Sequence, residues 1–510
     1  MNYPFWDTSV SYGLLIAFVS ILHVFISHFA IGGGLYLVVT EWRARKRNDA
    51  PVLGYLERLS RFFVLVTLVA GALTGVGIWF VIGLLSPAAT EVLIHSFIWG
   101  WATEWTFFII EITAAILYYY GWKRMSARSH LALGWIYFGA AWMSLFVING
   151  IITFMLTPGE WLATGDFWDG FFNPTFWPSL AFRTGISVML AGAFTMLLAA
   201  RRPADAFKAR LVRTNAAWGL TGLVVMLPSF YWYWTAIPGE VTSKAREMMP
   251  TVMTSLSDLV VFAIVTAVLL VFFGLIIPKR QSMAAAIVLM AFGLLTFGAF
   301  EWFRESVRKP WIVYDYMYGN ALEAARADSY SETGYLEQIR FRTGDDGADL
   351  FRRVCRNCHT IAGYKPLKPA FDGTDEAFTA AIVKGIGVIR GNMPPFHASE
   401  SEAGLIAAHL YGQMDGRSIA EIYRLEGVEL GRKVYDIRCG KCHVMGGYND
   451  KYESLVDLSE EDYNDLLDIA GEFGEEMPDY TGDDQERRAL IQYLLTLGKE
   501  DGGSHESAGL

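Results

Sequence analysis

Eight apolar segments, each long enough to cross a bilayer, crowd the first 310 residues, and none follows. They lie near 11–40, 60–85, 97–120, 132–156, 179–200, 214–235, 252–277 and 283–303. This pattern predicts an all-α fold: an eight-helix transmembrane bundle over residues 1–311, then a charged tail of about 200 residues, room for one or two small domains. The chain is 53% hydrophobic, which suits a membrane protein better than a single soluble core. Its net charge of −10 argues against nucleic acid as a partner. The first residues, "MNYPFWDTSV", show neither a basic n-region nor a small-residue cleavage site, so the first apolar segment is expected to stay as a membrane helix.

The short loops alternate in charge. "EWRARKRND", "GWKRMSARSH", "RRPADAFKARLVR" and "PKRQ" are basic; "LSPAATEVLIHS" and "TPGEWLATGDFWDG" are not. Basic loops belong in the cytoplasm, which places the N-terminus outside. Eight crossings then return the tail to the outside, periplasmic in a bacterial inner membrane.

The tail holds all four cysteines of the chain, in "CRNCH" (355–359) and "CGKCH" (439–443). C-x-x-C-H supplies two thiols for the haem vinyl groups and one axial imidazole. Cys355, Cys358 and His359 thus read as one covalent haem c site, and Cys439, Cys442 and His443 as a second. Zinc is the competing reading of such spacing. "GNMPPF" offers Met393 and "EEMPDY" offers Met477 as distal ligands, and each follows its His at the same distance along the chain. One constant interval separates Cys355 from Cys439, Met393 from Met477 and Gly347 from Gly431. This marks a duplicated domain. We expect a linker at 312–342, one cytochrome c domain at 343–418, a second at 425–500 and a flexible tail at 501–510. His/Met ligation saturates iron, so these haems are expected to move electrons and not to bind substrate. His397, His409 and Met445 read as surface or packing residues. Fifteen carboxylates against one lysine between Asp450 and Glu486 form either a solvated face or a docking surface for a basic redox partner. Arg352, Arg353, Arg356, Lys365 and Lys368 make the first domain basic around its haem, so the two domains are expected to face each other.

Charges inside a bilayer are costly and are functional candidates by default. The apolar segments contain His23, His28, Glu104, Glu111, Asn149 and Arg183, and the eighth ends in "FEWFRESVRKPW" with Glu301, Arg304, Glu305, Arg308 and Lys309. Glu104 and Glu111 stand seven apart, on one helix face, as a route for protons would require. Polar glue between helices is the bland alternative for any one of these residues. Small residues in "AIGGG" (30–34) and "AGALTGVG" (70–77) read as packing positions without chemistry.

Over residues 10–311 these motifs resemble subunit I of the cytochrome bd-type oxidases. "ILHVFISHFAIGGG" resembles that family's first helix, which implies His23 as a haem ligand. "IIEITAAILYYYGWKR" resembles the third helix, with Glu111 at one acidic position and Glu104 within one residue of the other. "VINGIITFMLTP" resembles the end of the fourth. "ESVRKPW" is similar to the signature E-x-G-R-Q-P-W, which implies Glu305 as a haem-ligating carboxylate and Arg308 as its arginine. The resemblance implies one to three membrane haems of b or d type, O2 reduction near the extracytoplasmic face, and a partner of the subunit II type. Three departures bear on the quinol side. Arg183 stands where the family has a haem-ligating His, the quinol-binding loop shrinks to "AIPGEVTSKAREMMP", and the signature Gly is Val307. Electrons are therefore expected to enter through the haems c, from a cytochrome c or similar donor, to a haem pair held by His23 and Glu305. NO reduction at the same pair is a close variant. A conduit that oxidises quinol and passes electrons outward is the alternative. His28 is either a ligand of a further haem or a packing residue.

Overall fold

The computed structural model describes residue 8 and residues 10–389, 391–474 and 477–497; the expected tail 501–510 and Glu475–Glu476 of the acidic run lie outside the described residues. The chain divides into two compact units. One comprises Ile16–Thr242 and Thr251–Arg308; the other comprises Met1–Leu15, Ser243–Pro250 and Lys309–Leu510.

Up to residue 308 the chain is helical: α1 (Tyr12–Lys46), α2 (Ala50–Val64), α3 (Ala72–Leu85), α4 (Pro87–Ser96), α5 (Ile98–Gly121), α6 (Ala127–Phe154), α7 (Phe176–Ala200), α8 (Ala206–Ala236), α9 (Gly239–Met248, most of which belongs to the other unit), α10 (Pro250–Leu269) and α11 (Met283–Val307). A π-turn at Leu65–Gly71 joins α2 to α3, and another, Leu270–Ile276, extends α10. Starts are fixed by side chains that satisfy the first free N–H groups: Asp49 for α2, Ser126 for α6, Asp205 for α8 and Ser282 for α11. Among the described residues, six spans are long and apolar enough to cross a membrane, or seven if the bent pair α8–α9 counts as one. Eight crossings were expected. The helix that falls short is α5, whose 24 residues at 1.5 Å each reach about 36 Å, but whose two glutamates and many aromatic residues lower its hydropathy. Large apolar side chains cover the outside of the unit, such as Leu73 (72% exposed) and Trp99 (75% exposed), as lipid contact requires.

The "AIGGG" stretch does serve packing. A Cβ on Gly32 would lie 1.8 Å from the Ser187 carbonyl of α7, and one on Gly34 would lie 2.3 Å from the Tyr137 ring of α6. Close approach of this kind replaces the hydrophobic drive that lipid cannot supply. Gly192 of α7 and Gly222 of α8 let those two helices meet in the same way.

In the other unit two small domains repeat one plan. The first contains α12 (Asp346–Val354), α13 (Glu376–Lys384) and α14 (Glu400–Tyr411); the second contains α15 (Gly427–Val434), α16 (Glu460–Asp468) and α17 (Asp484–Leu497). The paired glycines now have a physical reason. A Cβ on Gly347 would lie 2.4 Å from the Leu405 carbonyl, and one on Gly431 would lie 1.9 Å from the Ala489 carbonyl. Each glycine is where the first helix of its domain crosses the last. Residues 312–342, expected as a linker, are instead structured. β1 (Trp311–Val313) pairs antiparallel with β2 (Met317–Tyr318), and Tyr318, Leu322, Tyr330 and Tyr335 pack with Leu350, Phe351 and Ile406 in one core. Tyrosines bury a large apolar body while their hydroxyls find partners, and that is what this stretch contributes. The Tyr335 hydroxyl accepts from the His397 N–H at 2.9 Å.

Candidate functional site

Each C-x-x-C-H presents its histidine in the same way. His359 Nδ1 lies 3.2 Å from the Lys365 carbonyl, and His443 Nδ1 lies 3.2 Å from the Asn449 carbonyl. Both carbonyl-bearing residues adopt left-handed backbone, with φ of 47° and 50°. A Nδ1–H donated to a carbonyl orients the ring and leaves Nε2 as the nitrogen that takes iron. Burial pushes the Cys355 thiol up to about 12 and the Cys439 thiol up to about 11. Among the described residues, no group of three or more His, Cys, Asp or Glu could hold a metal ion. A structural zinc ion needs four ligands, and the described residues assemble no such set around either motif; two thiols and one imidazole fit covalent haem.

Met393 packs against an apolar cluster of Phe371, Phe378, Ile382 and Ile389. A Met393→Ala variant is expected to lower the potential of the first haem by on the order of 0.1 V, a modest part of the ~0.8 V that axial ligands command, with the second haem unchanged. Potentiometric titration of the α-bands checks this. The other side chains behave as packing groups: His409 lies 3.7 Å from Asp345, and Met445 packs on the second core. The basic residues of the first domain do not form a free face. Arg353 donates to the carbonyls of Asn320 (2.5 Å) and Ala321 (3.3 Å), Arg352 pairs with Asp349, and Arg356 donates to the Thr8 carbonyl.

Sequence reasoning missed a second repeated pair. Glu402 accepts from the N–H groups of Tyr335 (2.8 Å) and Leu336 (2.9 Å). Its counterpart in the second domain, Glu486, accepts from Ile419 N–H at 2.9 Å. Both are buried. The available signal was their spacing, which equals that of Cys355 and Cys439.

In the membrane unit, His23 of α1 sits against α3. Its Nδ1 lies 3.0 Å from the Thr74 hydroxyl, and Thr74 in turn donates to the Ala70 carbonyl at 2.7 Å. A Cβ on Gly75 would come within 3.2 Å of the His23 ring, so that glycine, read as packing only, also makes room for the imidazole. With Nδ1 engaged, Nε2 is the nitrogen His23 offers to a metal.

Near the C-terminal end of α11, two charged groups form. Arg183 Nη2 lies 2.7 Å from Glu301 Oε1, both buried, and Arg304 Nε donates to Glu301 Oε2 at 3.1 Å. His28 joins this group: its Nδ1 is 2.8 Å from the Val24 carbonyl, its Nε2 3.4 Å from Arg183 Nη1, and its ring 4.5 Å from Phe297. Both ring nitrogens of His28 are engaged within the protein, which favours packing over haem ligation. One turn further, Arg308 Nη2 donates to Glu305 Oε2 at 2.5 Å. Among the described residues, Nε and Nη1 of Arg308 and Nη1 of Arg304 are buried without a hydrogen-bond partner. Unsatisfied buried guanidinium donors call for an anion. A haem propionate would supply one, so these residues fit the group.

α1 and α11 run side by side, since Phe25 and His28 both meet Phe297. Counting along both axes at about 1.5 Å per residue, His23 stands at roughly the level of Glu301, about one turn from Glu305. The two expected ligands occupy neighbouring levels of the same bundle, but each is held by its own partners.

Glu104 and Glu111 both face α6. Ser144 donates to Glu104 at 2.9 Å, and Tyr137 donates to Glu111 at 3.2 Å. Asn149 donates to the Phe176 carbonyl at 2.9 Å and is helix glue. A further cluster was missed. Glu41, five turns along α1 from His23, is buried and takes Tyr118 at 2.7 Å, His130 Nδ1 at 2.8 Å and Arg45 at 2.6 Å. A whole number of turns puts it on the same helix face as His23, a signal that the sequence did hold. A small cavity of about 10 Å³ lies between the two clusters, lined by Tyr118 of one and Tyr137 of the other. A larger one, about 600 Å³, opens between α1, α10 and α11, lined by Phe25, Ser255, Asp258, Phe262, Leu294 and Trp302. Asp258, within a membrane span, was also not singled out.

Residues 14–244 match the family model for cytochrome bd terminal oxidase subunit I. Residues 342–410 and 426–494 each match the model for the cbb3-type cytochrome c oxidase subunit III. Among solved structures, the chain is similar to the bd oxidase from Geobacillus thermodenitrificans, at 17% identity and a TM-score of 0.53, covering 63% of this chain and 94% of that one. No curated protein matches. The chain thus joins a cytochrome bd-like, multi-pass membrane domain to cytochrome c domains, which defines a haem-containing oxidoreductase of electron transport.

Proposed function

We propose that this protein passes electrons through two haems c to a membrane haem site held by His23 and Glu305, near the extracytoplasmic face, where O2 is reduced to water. The bound haems supply the redox chemistry and the place where O2 meets electrons. The observation that carries the reading is the buried Arg308 and the half-buried Arg304 beside Glu305, each with buried donors left for an anionic cofactor. His23 would offer Nε2 and Glu305 its carboxylate to such a haem, and the open donors of Arg308 and Arg304 would pair with its anionic groups.

Reduction of O2 to two waters consumes four electrons and four protons. Protons from the cytoplasm would enter at the Glu41–His130–Tyr118 cluster, beside the basic end of α1 (Arg43, Arg45, Lys46), and reach Glu111 and Glu104 on the α6 side, where Tyr137 and Ser144 donate to them. Eight crossings, α5 included, put both termini in the periplasm of a bacterial inner membrane. A subunit II-type partner, or a second related subunit, would cover lipid-facing surface.

The acidic second domain favours a basic cytochrome c as donor. In the purified full chain, reduced cytochrome c is expected to support O2 uptake that falls several-fold between low and physiological salt, while quinol alone does not. The quinol-oxidising conduit draws on the 600 Å³ cavity with Asp258, a size that suits a small organic ligand. Quinol reducing the haems c without O2 uptake would select that reading, and NO consumption in place of O2 would select the variant.

A further inference from the structure

The two cytochrome c domains repeat each other at a constant interval, so departures from the repeat mark what one copy does that the other does not. Arg438 is such a departure. It directly precedes Cys439, and the matching position in the first domain is Val354. Arg438 is buried and binds Glu486 through Nε (3.1 Å) and Nη2 (2.9 Å), and Thr481 through Nη1 (3.0 Å). Its Nη2 also donates to the Gly373 carbonyl of the first domain at 3.3 Å, its guanidinium lies 5.5 Å from the Phe378 ring centre, and Asp375 stands 3.9 Å away.

Around it, the seam between the domains is continuous. Lys441 Nζ sits 5.5 Å from the Phe371 ring centre and 5.4 Å from that of Phe378. Tyr448 of the second domain donates to the Val388 carbonyl of the first at 2.9 Å. Cys442, a thioether anchor of the second haem, packs in the same apolar cluster as Met393, the distal ligand position of the first.

The geometry points to a single rigid two-haem unit in which charge crosses directly at the Met393–Cys442 seam, with Arg438 as the positioning residue that fixes the approach. One electron leaves the reduced iron of one domain and arrives at the oxidised iron of the other, with no proton and no third reactant. Arg438 suits this role because its fork reaches two partners at fixed angles. Glu486 serves the internal fold through Ile419 and the seam through Arg438, whereas Glu402 spends both oxygens inside its own domain. This inference concerns the soluble domains alone and holds whether or not the membrane site reduces O2.

Pulsed EPR on the oxidised full chain measures the separation of the two low-spin haems c. The native chain is expected to give one narrow distribution, and a potentiometric titration should show that reducing one haem shifts the other. In R438L, both signatures should be lost while pyridine haemochrome still counts two haems c. Should R438L fail to retain the second haem, Tyr448→Phe and Phe378→Ala, which leave Glu486 paired, should broaden the distribution. A broad native distribution, or variants that keep both the narrow distance and the redox interaction, would overturn the proposal.

Discussion

A Glu305→Ala variant is expected to lose at least one membrane haem and to keep both haems c. Glu305 stands at the end of α11, 35% exposed at its side chain, with Arg308 bonded to it at 2.5 Å. Removing the carboxylate leaves the buried Arg308 guanidinium without its ion-pair partner, and a cation left so tends to reject the cofactor geometry it once supported. O2 uptake should fall at least a hundredfold. Glu305→Gln should restore protein yield but not the haem, since an amide cannot supply the ligand charge. Haem extraction and separation of b- or d-type from covalent haem reads the result. Unchanged haem content would remove Glu305 from the ligand set.

The second large effect concerns stability, and it should be asymmetric. Glu301 is a carboxylate shared by Arg183 and Arg304. Glu301→Gln strands the buried Arg183 guanidinium and the half-buried one of Arg304 and should cost about 3–5 kcal/mol, enough to unfold a marginal membrane domain or block its assembly. Arg183→Leu removes one cation and leaves Glu301 paired with Arg304, so it should cost clearly less. Thermal inactivation in detergent orders the variants. Equal losses would mean that Arg304 does not share the carboxylate. Within the same network the charge of Arg183 is matched by Glu301, and His28 fills the space beside it.

How much of this could be read from residues alone depended on the range of the interaction. The haem c motifs are local, and the constant interval between Cys355 and Cys439 carried the duplication, down to Gly347 and Gly431. Glu402 and Glu486 obey the same interval and were passed over, because a lone carboxylate shows no sign of burial in a sequence. The stretch 312–342 read as a linker because its polar, tyrosine-rich composition lacks helical period; its tyrosines are buried by partners that lie far along the chain. Within the membrane, most of the costly charges were visible, but their pairing was not. Which helices are neighbours decides that Arg183 meets Glu301, that Tyr137 meets Glu111, and that Glu41 meets His130. Sequence spacing carries that information only within one helix, as for Glu104 and Glu111.

Facing of the two c domains was expected from opposite charge. The structure reaches the same juxtaposition by another route. Arg352, Arg353 and Arg356 are used inside their own unit, and the seam is made of aromatic rings, an arginine fork and one tyrosine hydroxyl.

A membrane haem held near His23 and Glu305 would meet O2 in the proposed function. Carbon monoxide tests it directly. The dithionite-reduced full chain should give a CO difference spectrum in the membrane-haem bands, with the two His/Met haems c silent, and a His23→Ala variant should lose that response while retaining both haems c. A native chain whose membrane haems do not respond to CO would rule out O2 reduction there and leave a saturated, electron-passing haem in its place.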